Sequence, residues 1–149
     1  PLNYTEEIKN FTNAAQNEGA RLDKYEWRPN DAWERDNDWV LMRYAEVLMM
    51  QAEAYYRLGY EQNALVCINQ IRKRAGLDNL TKLDLDALDA EWRHEFVFEG
   101  LRRTTNIRFG TFFKAWWNKT ADADKHTGVF PIPQTEIDKN PQLKQNEGY

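Results

Sequence analysis

The sequence predicts a mainly α-helical protein, a helix hairpin with further helices and long irregular loops around it. Three observations carry this expectation. Apolar residues recur at three- and four-residue steps from Leu41 to Tyr55 and again from Ala64 to Ala75, which puts each set on one helix face. A glycine follows each stretch, at Gly59 and Gly76, where a helix end favours it. The flanking segments lack sustained periodicity, and Pro131 and Pro133 forbid a continuous helix near the C-terminus.

Element by element, residues 1–38 read as a loop-rich lead-in, 39–117 as a helical core and 118–149 as an irregular C-terminal segment, together one domain. The first helix carries Leu41, Tyr44, Ala45, Leu48, Ala52 and Tyr55 on its inner face, with Asp38 as its N-cap and Gly59 beyond its end. The second spans Glu61 to Ala75, with Ala64, Leu65, Ile68 and Ile71 inward. Two helices joined at a glycine pack as an antiparallel hairpin, and Ala52 and Ala64 permit close approach. A third helix is expected from Asp84, its cap, to Glu99, with Leu85, Leu88, Trp92 and Phe96 inward and Gly100 as the stop. A fourth, aromatic-rich element covers Thr105 to Trp117, interrupted at Gly110. After it only a short turn at Thr135 to Asp138 is expected.

Length and composition narrow the class. A chain of 149 residues, 42% hydrophobic and 30% charged, can bury a core and reads as globular. A net charge of −4 argues against nucleic acid as a partner, since phosphate binding needs a clustered basic face. The short run Arg72-Lys73-Arg74 falls in the last turn of the second helix, where cations complement the helix dipole. Cys67, the single cysteine, lies inside an apolar helical pattern and reads as a small buried hydrophobe. No stretch reaches the ~18 apolar residues of a membrane span. Six tryptophans and seven tyrosines are many for this length; such rings fill cores, and they also stack on sugars.

Ala54, Tyr55, Leu58, Gly59 and Ala64 match the second half of a tetratricopeptide repeat. An aromatic on the first helix meets a small residue on the second, and glycine makes the turn. One copy cannot bury its own faces, so neighbouring helices must complete the packing.

Several clusters carry possible chemistry. Glu91 and His94 stand at the spacing used by di-iron sites, but such sites need a second copy and two further glutamates, so no metal is expected there. Glu91, Glu95 and Glu99 share one helix face and could serve a glycosidase; Arg102, Arg103 and Arg108 follow closely, and pairing with them is the expected role. Asp122, Asp124 and His126 match no metal-loop spacing. Neither a phosphate-binding glycine loop nor a nucleophile elbow occurs, and no cofactor is expected. Trp27, Trp33 and Trp39 are candidate ligand contacts from composition alone, because their neighbours are polar and Trp33 is hard to bury among Asp31, Glu34 and Arg35.

Several stretches resemble the SusD/RagB family. Arg43-Tyr44-Ala45-Glu46-Val47-Leu48-Met49-Met50-Gln51-Ala52-Glu53-Ala54 is similar to the family's most recognisable helix, and Ile68 to Leu77 to the helix and turn after it. Glu95-Phe96-Val97-Phe98-Glu99-Gly100-Leu101-Arg102-Arg103 resembles the glutamate–arginine segment. Arg108 to Phe112, Phe130 to Asp138, and the terminal Asn140 to Tyr149 match as well, in family order. Two departures each remove a charge from the local ion-pair network. Thr105-Asn106 stand where the family usually has Asp-Leu, and Glu91-Trp92 where it usually has Glu-Arg.

The resemblance implies an outer-membrane nutrient-binding lipoprotein that is not an enzyme. Family members are several hundred residues long and begin with a signal peptide and an acylated cysteine. They sit on the extracellular face of the outer membrane of Bacteroidetes-type bacteria. They cap a SusC-like, TonB-dependent transporter and deliver oligosaccharides, or sometimes peptides, into it. By that plan this chain corresponds to the C-terminal portion, touching the membrane only through a lipid anchor outside it, and much of the ligand site lies in earlier segments. Two other readings compete: a helical-repeat module that shares the same hairpin and binds a protein and no glycan, and a glycosidase using Glu91 or Glu95.

Overall fold

The computed structural model describes residues 3–22, 24, 25, 28, 30, 36–117 and 119–149. The chain divides into two compact units, Pro1–Val40 and Leu41–Tyr149. Among the described residues the regular structure is helical, and the one β-feature is an isolated bridge between Trp116 and Lys119. No helix among them is long and apolar enough to cross a membrane.

The first unit is held by local polar contacts. A 3₁₀ turn at Phe11–Asn13 is capped by the Asn10 side chain, which accepts from the Thr12 backbone N–H. Thr5 N–H donates to the Asn17 carbonyl at 2.9 Å. Arg21 gathers the carbonyls of Gln16, Glu18 and Gly19 and lies 4.5 Å from the Tyr4 ring centroid. Such side-chain bonds give a segment without a ladder somewhere to place its backbone polar groups.

The second unit starts with α1 (Tyr44–Arg57) and α2 (Glu61–Arg74), which pack chiefly on each other. Met49, Ala52, Ala64 and Ile68 are fully buried at this contact. The alanines let the backbones come close, as their small size predicts. Both helices end with the chain reversing through a left-handed glycine. Gly59 has φ +85° and Gly76 φ +74°, and Tyr60 N–H and Leu77 N–H reach back to the carbonyls of Tyr55 and Arg72 at 2.9 Å each. Those bonds satisfy carbonyls that the helix end would leave orphaned.

Two expectations for α1 are corrected. It begins at Tyr44, and its N-cap is Arg43, not Asp38; Arg43 is extended, at φ −139°, because its side chain is committed elsewhere, as described below. Leu41 and Tyr44 are exposed, and Tyr44 is 71% accessible. The buried stripe instead runs Ala45, Leu48, Met49 and Ala52, rotated toward α2 by the alanine contact.

The connection 77–84 is fixed by side chains of α2. Asn69 exchanges two hydrogen bonds with the backbone of Leu80, at 2.8 and 3.0 Å, and Glu61 accepts from Leu83 N–H at 2.9 Å. Leu83 is thereby buried. α3 (Leu85–Glu95) follows, capped as expected by Asp84, whose carboxylate accepts from Ala87 N–H at 2.7 Å. Leu88, Trp92 and Phe96 are buried as expected, but Leu85 is 45% accessible because it occupies the first turn, beyond the hairpin.

α3 stops at Glu95 and does not continue to Glu99. Phe98 takes the left-handed region at φ 66° and Gly100 at φ 80°, so the chain turns sharply. Such a conformation costs a bulky residue about 1–2 kcal/mol and survives only where surrounding contacts enforce it. α4 (Arg102–Arg108) is then shorter than the expected Thr105 to Trp117 element, closing at Phe109 with Gly110 at φ 70°. The aromatic residues after Gly110 lie in irregular structure.

The C-terminal segment holds α5 (Gln134–Lys139) and is sewn together by carboxamides. Gln145 pairs with both backbone groups of Ile132 at 2.8 Å, and Asn146 donates to the Phe130 carbonyl at 2.8 Å. Arg103 donates to the Thr127 carbonyl at 2.9 Å and stacks 4.3 Å from the Phe130 centroid, tying this segment to α4.

Cys67 is buried, with Sγ 3.5 Å from Gln51 Oε1, and burial pushes its thiol pKa up. A thiol raised in the folded state carries less thiolate than the same thiol unfolded at any pH near 8, and only the thiolate reacts. Labelling with a thiol reagent at that pH is expected to be slow in buffer and fast in urea. Equal rates in both would mean that α1 and α2 do not enclose it.

Candidate functional site

Of the three tryptophans singled out in the sequence, Trp27 and Trp33 lie outside the described residues. Trp39 is described. It is 57% accessible and stacks on Tyr25, with ring centroids 5.1 Å apart and planes 15° from parallel. Tyr25 sits in the left-handed region at φ 63°, so this residue is turned out of the path of an ordinary extended loop. Offset parallel stacking of this kind fixes a large indole at low entropic cost. An indole held rigid and half open to solvent can receive the apolar face of a flat ligand.

The carboxylates of the second unit have a different fate. Glu91 pairs with Arg72 at 2.5 Å. Glu95 is held by Arg43 and, through both oxygens, by Arg74 at 2.7 Å. Glu99 takes a two-point contact from Arg43 at 2.7 and 2.8 Å. The expected pairing is therefore present with other partners. Because the chain turns at Phe98 to Gly100, Arg102 swings to Asp89, Arg108 to Glu53 and Arg103 to backbone carbonyls, while arginines from α2 and the start of α1 reach the three glutamates. Departures from the family pattern at 92 and 105 do not leave the network unpaired: Trp92 is stacked under Arg108 at 5.0 Å, and Thr105 hydroxyl donates to the Leu101 carbonyl at 2.9 Å. Carboxylates engaged by guanidinium groups in this way are held in structural ion pairs and not presented to a cleft as an acid–base couple.

The two groups weighed in the sequence as metal ligands have other surroundings. His94 is exposed, and Glu91 faces Arg72. Asp122 pairs with Lys119 at 2.9 Å, and Asp124 contacts His126, whose hydrogen bond holds the Asp124 carboxyl below the usual carboxylate range. Among the described residues there is no group of three or more His, Cys, Asp or Glu side chains placed to hold a metal ion.

Two concavities were not anticipated from the sequence. One, of about 390 Å³, lies beside α1 and α4 and is lined by Met50, Trp92, Leu101 and the Glu53–Arg108 pair. The other, of about 430 Å³, lies between α3, α4 and the loop to Trp116. The adjacent Trp116 and Trp117 were the available signal, hidden by their assignment to a helix.

Comparison with known proteins points one way. The family model described as the SusD family matches residues 4–129 and 111–149. The starch-binding protein SusD of Bacteroides thetaiotaomicron is 38% identical over 124 residues, covering 76% of this chain and 22% of the relative. A SusD-like protein of Formosa agariphila is 28% identical over 159 residues, covering 90% of this chain and 29% of the relative. The crystal structure of a SusD-like protein from Bacteroides fragilis superposes with a TM-score of 0.63 at 28% identity, over 74% of this chain and 26% of that one. The chain thus spans under a third of the length of each of these relatives. The family model and the 38% identical relative each cover most of this chain, which belongs to the SusD family.

Proposed function

We propose that this chain is the C-terminal portion of a non-catalytic glycan-binding protein of a nutrient-uptake system. Its likeness to a relative named for starch binding carries this reading. The rigid, half-open Trp39 on Tyr25 supports it, because a flat aromatic face with polar neighbours suits the apolar side of a sugar ring. The arginine-clamped glutamates support binding without turnover. By the same reading the whole protein is anchored by a lipid on the extracellular face of the outer membrane and hands its cargo to a SusC-like, TonB-dependent transporter. Contacts that are individually weak suit a protein that must release what it binds.

Isothermal calorimetry with neutral oligosaccharides, maltoheptaose first, tests the reading. Trp39→Ala is expected to weaken binding roughly tenfold, the loss of one aromatic contact of about 1.4 kcal/mol. Trp27→Ala and Trp33→Ala are made in parallel, since both remain candidate contacts. Unchanged affinity in all three variants would remove the lead-in segment from the site. No heat with any sugar would favour the protein-binding alternative, for which the exposed Tyr44, Val47, Met50 and Leu58 on or beside α1 are the supporting observation.

A further inference from the structure

We propose that the cleft between α3, α4 and the Trp116 loop is a separate binding subsite for a saccharide bearing an anionic substituent, a carboxylate or a sulfate. The inference rests on the glycan-binding reading but concerns different residues. The cleft encloses about 430 Å³ and is lined by Asp89, Arg93, Arg102, Asn106, Lys114 and Trp116.

Each of these offers something a sugar uses. Trp116 is 51% accessible, and its position is set by two backbone hydrogen bonds exchanged with Lys119, at 2.9 and 3.1 Å. Those bonds fix the backbone from which the exposed indole projects, so less ordering is left to binding. Asn106 is 4% accessible and lines the cleft; its Oδ1 accepts from the Thr111 hydroxyl at 3.2 Å, while its Nδ2 has no partner among the described residues. An amide with unused donors at the wall of a cleft can donate to a hydroxyl or carboxylate oxygen of a ligand. Asp89 and Arg102 form a two-point pair at 2.5 and 2.8 Å, which fixes both planar groups. Each Asp89 oxygen retains a lone pair for a hydroxyl donor.

Charge narrows the ligand further. Arg102 is neutralised by Asp89, and Lys119, whose Nζ lies 5.7 Å from the Trp116 centroid, is neutralised by Asp122. Arg93 and Lys114 have no carboxylate partner among the described residues, so the cleft carries two uncompensated positive charges in a chain whose net charge is −4. A neutral sugar has no use for them. A bare anion such as phosphate would gain nothing from the indole. A sugar ring with an acidic substituent uses all six groups.

The test is calorimetry on the full chain with oligogalacturonides, sulfated carrageenan oligosaccharides, maltoheptaose and poly-glutamate. Acidic oligosaccharides are expected to bind more tightly than maltoheptaose at this site. Arg93→Ala/Lys114→Ala, which alters exposed side chains only, is expected to weaken them about tenfold and leave maltoheptaose unchanged. Raised salt is expected to have the same effect as the double variant. Trp116→Ala is expected to weaken acidic oligosaccharides, with an unaltered circular dichroism spectrum as the control. Comparing the carboxylated and sulfated ligands identifies the substituent. Equal affinity of the double variant and the unaltered chain for acidic sugars would overturn the proposal, as would poly-glutamate competing as well as the saccharides. Maltoheptaose binding that depends on Trp39, with no acidic-sugar response, would remove this subsite and keep the glycan reading. Acidic-sugar binding lost in the double variant but indifferent to Trp39 would keep the subsite and remove the lead-in site.

Discussion

Trp92→Ala is expected to lower unfolding stability by about 3–5 kcal/mol, the range for deleting a buried aromatic. Trp92 is 4% accessible, packs on Phe96 with centroids 5.0 Å apart, and carries the Arg108 guanidinium 5.0 Å above its ring. Its loss would open a void where α3 faces α1 and α4 and leave Arg108 without a platform. Trp92→Phe is expected to behave differently. The indole Nε1 is buried without a hydrogen-bond partner among the described residues, and an unsatisfied buried donor costs about 1–3 kcal/mol. Phenylalanine removes that donor and keeps a ring, so the smaller volume and the lost penalty nearly offset. Urea denaturation of both variants measures the difference. If Phe is as damaging as Ala, the Nε1 finds a partner in solution and the argument fails.

The second large effect is expected at Arg43. Its guanidinium reaches Glu99 through two bonds of 2.7 and 2.8 Å, donates to the Glu95 carbonyl at 2.7 Å, contacts the Glu95 carboxylate, and lies 4.5 Å from the Phe96 centroid. One side chain thus ties the start of α1 to the end of α3. The Glu99 side chain is 4% accessible. Arg43→Met would leave this carboxylate without its two-point partner, a change expected to cost about 2–4 kcal/mol, the lower part of the range for buried pairs because Arg43 keeps some solvent contact. Arg43→Lys retains the charge and loses the fork, and should fall between. The double variant Arg43→Met/Glu99→Gln should recover part of the loss, because no charge is then stranded. Arg43→Met within half a kcal/mol of the unaltered chain, about the noise between distant sites, would show the network to be solvated.

The pH behaviour of this hub follows from its sign. The Glu99 hydrogen bond, against burial and with help from Glu95, holds the Arg43 pKa above its ordinary value. A cation whose folded pKa is raised contributes stability at every pH below its unfolded value and loses it only above. Arginine does not titrate in any usable range. The Arg43 contribution should therefore be constant from neutral to mildly alkaline pH, and a comparison of the unaltered chain with Arg43→Met across that range checks it.

Much of the fold was legible in the residues. The Ala52 and Ala64 contact, the ends at Gly59 and Gly76, the Asp84 cap and the inward Leu88, Trp92 and Phe96 all follow from local rules. Those rules describe one turn of chain at a time, and each names a property the residue keeps in any surroundings: size, a missing Cβ, a side-chain acceptor. Where the rules were misleading, tertiary contact had overridden them. Tyr44 and Leu85 have the periodicity of core residues yet are exposed, since periodicity locates a face without saying what covers it. Asp38 had a cap's chemistry, but the start of α1 was decided by Arg43 reaching Glu95 and Glu99, more than fifty residues away.

The candidate sites divide the same way. Trp39 was visible by composition, and its stack on Tyr25 was not, because residue 25 takes a left-handed conformation that nothing in its own side chain favours. That Glu91, Glu95 and Glu99 would be paired was readable from the surplus of nearby arginines; which arginines pair with them was not. The cleft at Asn106 and Trp116 was hidden altogether. Sequence by itself determined the helix hairpin, its ends at Gly59 and Gly76, the Asp84 cap and the family, all of which rest on residue properties that near neighbours along the chain make legible. Only the tertiary structure decided which carboxylate meets which guanidinium and which tryptophan stays open to a ligand. The pairing depends in part on the turn at Phe98 to Gly100, where a few dihedral angles send Arg102 to Asp89 and Arg108 to Glu53.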